Sequence, residues 1–186
     1  VMNLKEINVY AMPKMRDFLM NNISTRKLVD DRNIVIQNLD DNLSVVINEN
    51  SQITPFIVPH RGENTETVGF NVSGESKSLI YIPDIDSWEE WEQDILEIVK
   101  KNNYVLIDGT FFNSDELGDR DMSRVPHPLI SKSMDLLSSL NESDRMKIFF
   151  THLNHTNKAI NSNSHERKNV EENGYHIASD GMAMDL

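Results

Sequence analysis

The residues of this chain that could do chemistry stand where apolar runs give out. They are His60 after Ile57-Val58-Pro59, Asp84 after Leu79-Ile80-Tyr81-Ile82-Pro83, His127 after Val125-Pro126, and His152 after Ile148-Phe149-Phe150-Thr151. Asp108 closes a further run, Tyr104-Val105-Leu106-Ile107, and opens Asp108-Gly109-Thr110. Imidazole and carboxylate delivered repeatedly to strand ends are the donors a sheet would offer to a metal at one edge. With no cysteine in 186 residues, disulfides and thiolate zinc sites are excluded. Any transition metal must therefore be held by nitrogen and oxygen.

Each of these residues has a blander reading when taken alone. His60 could be a loop histidine bonded to backbone. Asp84, with Asp86 two positions on, could cap a following helix. Asp108-Gly109-Thr110 could be a turn, because Asp and Gly favour turns for backbone reasons. His127 lies between Pro126 and Pro128, whose fixed φ makes a stiff segment. That suits a histidine held for proton transfer, and equally a surface loop. His152 and His155 fall in Thr-His-Leu-Asn-His-Thr-Asn, where a buried strand opens into many polar groups that need partners. A tight hydrogen-bonded turn or a metal would satisfy them. His165 and His176 read as ordinary residues of an exposed helix and a late strand. The order and the repeated strand-end placement are what favour a shared site.

The elements that must position these residues follow from periodicity. Strands are expected at Ile7–Tyr10, Ile34–Ile36, Leu43–Ile47, Ile53–Val58, Thr67–Val72, Ser78–Ile82, Tyr104–Ile107, Lys147–Phe150 and Tyr175–Ala178. Ser73-Gly74-Glu75-Ser76 reads as a hairpin turn. Pro13 suits the first turn of a helix over Lys14–Asn21. Ser87 and Glu90 form a capping-box pattern ahead of Trp88, Trp91, Ile95, Ile98 and Val99 at helical spacing. Further helices are expected over Pro128–Leu140, with Ile130, Met134 and Leu137 inward, and over His165–Asn173, stopped by Gly174. Arg61–Thr65 and Asn113–Pro126 read as polar loops, the second long enough to suggest function. Hairpins first and strand–helix–strand units later make an α/β layered fold with a mixed sheet in one domain, residues 1–186.

Composition narrows the partners. Thirty acidic against 18 basic residues leave a net charge of −12, so a phosphate-binding face is not expected and a small-molecule substrate fits better. Lys100-Lys101 and Arg167-Lys168 are the weak basic clusters. No apolar run reaches the roughly 18 residues that span a bilayer. Val1-Met2-Asn3-Leu4 leads straight into a charged stretch with no secretory pattern, so a cytoplasmic location is expected.

Several segments carry a family likeness. They are Val9-Tyr10-Ala11-Met12-Pro13, Val58-Pro59-His60-Arg61, Glu66-Thr67-Val68-Gly69-Phe70, Tyr81-Ile82-Pro83-Asp84, Asp108-Gly109-Thr110-Phe111-Phe112, His152-Leu153-Asn154-His155-Thr156-Asn157 and Asp180-Gly181-Met182. In that order the chain resembles the C-terminal part of metallo-β-lactamase-fold hydrolases, in the subgroup related to pyrroloquinoline quinone biosynthesis protein B, and it also resembles the second half of ribonuclease Z. The resemblance implies an αββα sandwich. It implies His60, Asp84 and His152 as metal ligands, with Asp84 bridging two ions, and Asp108 with His127 as the pair near the leaving group. Asn154, Thr156 and Asn157 would support the ligands. Zinc is the implied metal, with manganese or iron as alternatives, and a chain without the family's first ligand cluster is expected to bind it weakly or not at all.

The family's His-x-His-x-Asp-His cluster has no counterpart in this sequence. The expectation is therefore a segment that begins just downstream of that cluster, inactive as a hydrolase alone, and left with an exposed sheet face. That face would need the missing half or a second copy as partner. The alternatives are a non-catalytic domain that associates through the face, and RNA processing of the ribonuclease Z kind, which the acid excess opposes.

Overall fold

The structure is a computed structural model that describes residues 4–62, 65–118 and 125–186. Parts of both expected polar loops, residues 63–64 and 119–124, lie outside the described residues. Strand β1 (Ile7–Ala11) leads into helices α1 (Pro13–Asn21) and α2 (Ile23–Asp30), then β2 (Ile34–Asn38). Strands β3 (Val45–Asn48), β4 (Ser51–Ile57), β5 (Val68–Ser73) and β6 (Ser78–Ile82) follow as a meander. The second half runs α3 (Ile95–Lys101), β7 (Tyr104–Asp108), α4 (Ile130–Leu137), α5 (Glu142–Arg145), β8 (Ile148–Thr151), α6 (His165–Glu172) and β9 (His176–Ile177).

Seven strands form one mixed sheet in the order β3-β4-β5-β6-β7-β8-β9. The pairings from β3 to β6 are antiparallel, and those from β6 to β9 are parallel. Parallel neighbours need crossovers, and α3, α4 with α5, and α6 supply them in turn. β1 and β2 pair in parallel as a separate two-stranded sheet.

Alternation within the strands decides which face is core. Ile80, Ile82, Val105, Ile107, Ile148 and Phe150 are all buried and pack with Ile95 and Val99 of α3, Ile130, Met134 and Leu137 of α4, and Val170 of α6. Phe70, Val72, Leu79, Tyr81, Leu106 and Phe149 share the opposite face by register, and that face is only part-covered. No helix among the described residues is long and apolar enough to cross a membrane.

One expectation is corrected, and two helices are additional. The segment after Ser87 is not yet helix: α3 begins at Ile95, capped by Asp94, whose side chain accepts from Leu96 N. The Ser87 hydroxyl does accept from Glu89 N at 3.1 Å and Glu90 N at 3.4 Å, but no helical turn follows. Tertiary packing overrides the local pattern there. Trp88 and Trp91 are both buried and donate their indole N–H groups in different directions, to Ser133 Oγ at 2.9 Å and to the Ile57 carbonyl at 3.2 Å. Helix α2 was not expected from the sequence; Asn22 caps it by accepting from Ser24 N at 3.0 Å. The short α5 is likewise additional, capped by Asn141 through Asp144 N at 2.9 Å.

Ser133 is fully buried, so its hydroxyl depends on the Trp88 indole for satisfaction. Trp88→Phe keeps most of the apolar body and removes that donor. The expected loss is about 1–2 kcal/mol of stability, read as a lower urea midpoint at unchanged slope.

Candidate metal centre

Strand direction gathers the site. β5 runs against both β4 and β6, so β4 points the same way as β6, β7 and β8. The segments that leave these four strands therefore emerge at one edge, where ligands of α/β sheets commonly sit. They carry His60, Asp84 with Asp86, Asp108 with Thr110, and His152. His127 arrives on the connection between β7 and α4.

The carboxylate of Asp108 organises the centre. It is fully buried and accepts four hydrogen bonds. Oδ1 takes Thr110 N at 2.8 Å and the Thr110 hydroxyl at 2.7 Å. Oδ2 takes Ile85 N at 3.2 Å and His127 Nδ1–H at 2.7 Å. With all its lone-pair positions used, Asp108 has nothing left for a metal and acts as the orienting group. It fixes His127 with the proton on Nδ1, which leaves Nε2 for other work. Burial opposes the charged form of His127, yet the hydrogen bond and charge of Asp108, helped by Asp84 and Asp86, outweigh it and hold the imidazole pKa above its ordinary value.

Thr110 carries the same ordering to His152. Its hydroxyl gives its proton to Asp108 and lies 3.0 Å from His152 Nδ1. A hydroxyl that is already donating accepts there, so His152 donates from Nδ1 and turns Nε2 outward. The strand ends pack closely enough that a Cβ on Gly109 would stand 2.8 Å from Phe150 Cβ and 3.0 Å from the Thr151 carbonyl. His152 follows with a φ of +60°, a left-handed conformation rare outside glycine and typical of residues held for a purpose. Asn157 secures the Gly109–Thr110 turn by donating to the Gly109 carbonyl at 2.8 Å. Of the three expected supporting residues it is the one that braces the turn by its side chain. The Asn154 side chain instead donates to the Thr156 hydroxyl at 2.7 Å.

On the other flank Asp86 does for His60 what Asp108 does for His127. His60 Nδ1 lies 2.6 Å from Asp86 Oδ1, and a carboxylate only accepts, so Nδ1 carries the proton. His60 Nε2 then presents a lone pair to Asp84 Oδ2 at 3.3 Å. Two acceptors facing each other at that distance repel unless a proton or a cation lies between them. Donor atoms about 2.0–2.1 Å from one tetrahedral zinc stand about 3.3 Å apart. Asp84 Oδ1 is buried with no hydrogen-bond partner; His127 Nδ1, at 3.6 Å, is spent on Asp108. An orphaned carboxylate oxygen among histidines fits a divalent ion.

The five expected residues are thus brought together. One donor atom from each of Asp84, Asp108, His127 and His152 can be chosen so that all four lie within 4.8 Å of one another. The His127 ring centre is 6.1 Å from those of both His60 and His152. His60 stands outside the 4.8 Å group and joins it through Asp84. The sequence reading did not assign work to Asp86 or Thr110. Alternation was the available signal: Ile85 is fully buried between Asp84 and Asp86, which sends both carboxylates the other way.

A family model described as the beta-lactamase superfamily domain matches residues 2–178. The chain belongs to that superfamily. Coenzyme PQQ synthesis protein B of Acinetobacter baumannii (strain ACICU) is 30% identical over 133 residues, 69% of this chain and 43% of that protein. The protein of the same name from Methylorubrum extorquens (strain AM1) is 30% identical over 131 residues, 67% of this chain and 43% of its own length. The chain therefore spans under half the length of these curated relatives. A crystal structure of Zn(2+)-bound PqqB from Methylobacterium extorquens superposes with a TM-score of 0.79 at 24% identity, covering 97% of this chain and 63% of that one. A diphosphatase of the PhnP family superposes at 0.59 with 16% identity, covering 100% and 60%. At such identities these two likenesses speak for the fold. The superfamily match and the mixed sheet with flanking helices agree with the α/β metallo-β-lactamase-like fold expected from the sequence.

Proposed function

We propose that this chain carries the ligand-bearing edge of a metal-dependent hydrolase acting on a small molecule. The observation that carries the reading is the Asp84 carboxylate, one oxygen orphaned and the other facing the His60 lone pair at 3.3 Å. His60 Nε2, Asp84 and His152 Nε2 are open donors; Asp84 falls with His152 in the group within 4.8 Å while His60 reaches it only through Asp84, so Asp84 would be the ligand shared between the two histidines. Imidazole and carboxylate donors favour zinc, with manganese or iron as alternatives. A divalent metal held there would make a nucleophile of water at neutral pH and polarise the scissile group.

The remaining work falls to the chain. Asp86 and Asp108 fix the ring orientations of His60 and His127. Hydrolysis adds hydroxyl to the scissile centre and a proton to the leaving atom. His127, oriented by the Nδ1–H bond to Asp108 and favoured in its charged form by that carboxylate, would hand a proton over from Nε2 and recover one from water. A cytoplasmic setting suits a chain with no cysteine.

Metal analysis after reconstitution with zinc, manganese or ferrous iron tests the reading. About one equivalent is expected, and less than about a tenth with every ion would sink it. In the full-length parent, His152→Ala should abolish uptake at a cost of about 1 kcal/mol or less, because the side chain is exposed and makes one hydrogen bond to protein. In that full-length parent, His127→Ala should spare the metal and lower turnover. A domain that unfolds in His152→Ala with its metal content unchanged would make His152 structural.

The part-covered sheet face of Phe70, Leu79, Leu106 and Phe149 favours a second reading, a domain that works by association through that face with the metal edge idle. Solution mass separates the two: a stable monomer that takes up metal counts against association.

A further inference from the structure

A second feature adjoins the proposed centre. A cavity of about 470 Å³ opens beside His127 and Asp86, within the range of about 300–1,000 Å³ usual for small-molecule sites. Its apolar wall is Trp88, Pro126, Pro128, Leu129 and Leu136. Three of these flank His127 in the stretch Pro126-His127-Pro128-Leu129, so one stiff segment supplies both the imidazole and the wall. Trp88 spends its N–H on Ser133 and has only its carbon framework left to offer the cavity.

The charges at the rim are of one dominant sign. Asp86 and Glu89 line the cavity against one permanently charged cation, Lys132, with the His127 imidazole already engaged by Asp108. The Lys132 ammonium lies 3.7 Å from the Asp135 carboxylate. A negatively charged group is therefore unwelcome there, while a neutral apolar one meets a ready surface.

We infer that this cavity seats a neutral, flat, apolar group of the substrate, of the size of an indole or naphthalene ring, and thereby aligns the adjoining bond with His127. The assignment to a substrate rests on the hydrolase reading above; the class of group accepted rests on the cavity itself. Leu129 and Leu136 are the specificity-determining side chains. Leu136 is 39% exposed, which makes it replaceable without damage to the core.

The test is a titration of the whole chain, with methyl-labelled leucines, followed by NMR with and without zinc. The probes are 1-naphthol and its anionic counterpart naphthalene-1-sulfonate. Naphthol should move the methyl signals of Leu129 and Leu136, with a dissociation constant below about 1 mM. Leu136→Asp should weaken it at least about tenfold, and the sulfonate should bind the same methyls at least about threefold more weakly. Shifts confined to Leu79 and Leu106 on the open sheet face would overturn the inference, as would a sulfonate that binds more tightly than naphthol or no response at all. Zinc uptake with silent Leu129 and Leu136 methyls would remove the cavity's role and leave the metal centre standing. Naphthol at these methyls in a chain that takes no metal would do the reverse.

Discussion

Asp108→Ala should cost this domain about 3–5 kcal/mol, a large part of the usual total of about 5–15 kcal/mol. The carboxylate is fully buried and accepts from Thr110 N, the Thr110 hydroxyl, Ile85 N and His127. Alanine leaves two main-chain donors in the core without partners, each costing about 1–3 kcal/mol. The urea midpoint should fall by about 2 M at unchanged slope.

Asp108→Asn should cost less. Its oxygen can still accept from Thr110, but its amide then meets Ile85 N–H and His127 Nδ1–H, donor against donor, and drives His127 into the other tautomer. The pH dependence should change as well. His127 has a raised folded-state pKa, so in the metal-free chain its stabilising contribution is full below the unfolded value of about 6.5. That contribution is lost as pH rises through the folded value. Both variants should flatten this slope. Stabilities within about 0.5 kcal/mol of the parent in both variants would show that Asp108 does not organise the edge.

Asp84→Ala should give the opposite pattern: metal affinity down at least about a hundredfold, and a metal-free domain as stable as the parent or up to about 1 kcal/mol more so. The reason is electrostatic. Asp84 brings an unpartnered oxygen and an acceptor that faces the lone pair of His60, an arrangement that destabilises the empty site and is relieved when a cation enters. Stability with excess zinc should therefore separate the two proteins, because only the parent gains from mass action on the folded state. Calorimetric titration with zinc and paired urea curves read both effects. A variant that keeps parental zinc affinity would remove Asp84 from the ligand set. One that loses several kcal/mol without metal would mean that Asp84 serves the fold.

Much of this centre was legible before any coordinates. A continuous run such as Tyr104–Ile107 or Ile148–Phe150 marks a central strand, though here only alternate residues are fully buried, and a polar residue where it stops marks an edge. On that basis His60, Asp84, Asp108 and His152 could be singled out, and the stiff Pro126-His127-Pro128 stretch suggested proton transfer. Local pattern misled around Ser87, where the spacing of Trp88 and Trp91 suits a helix. The two indoles instead find partners in Ser133 and Ile57, 45 and 34 residues away in the chain, and no local rule anticipates that.

The amino-acid order by itself determined which donor types are available and that strands would deliver them to their ends, because side-chain alternation and turn chemistry act over a few residues. Only the tertiary structure decided how the donors are divided. It saturated Asp108 with four hydrogen bonds, left Asp84 short of one, and enlisted Asp86 and Thr110 to set the ring protons of His60 and His152. Hydrogen-bond satisfaction depends on distances of tenths of an ångström between segments far apart in the chain. Such distances exist only once the parallel strands have been brought side by side.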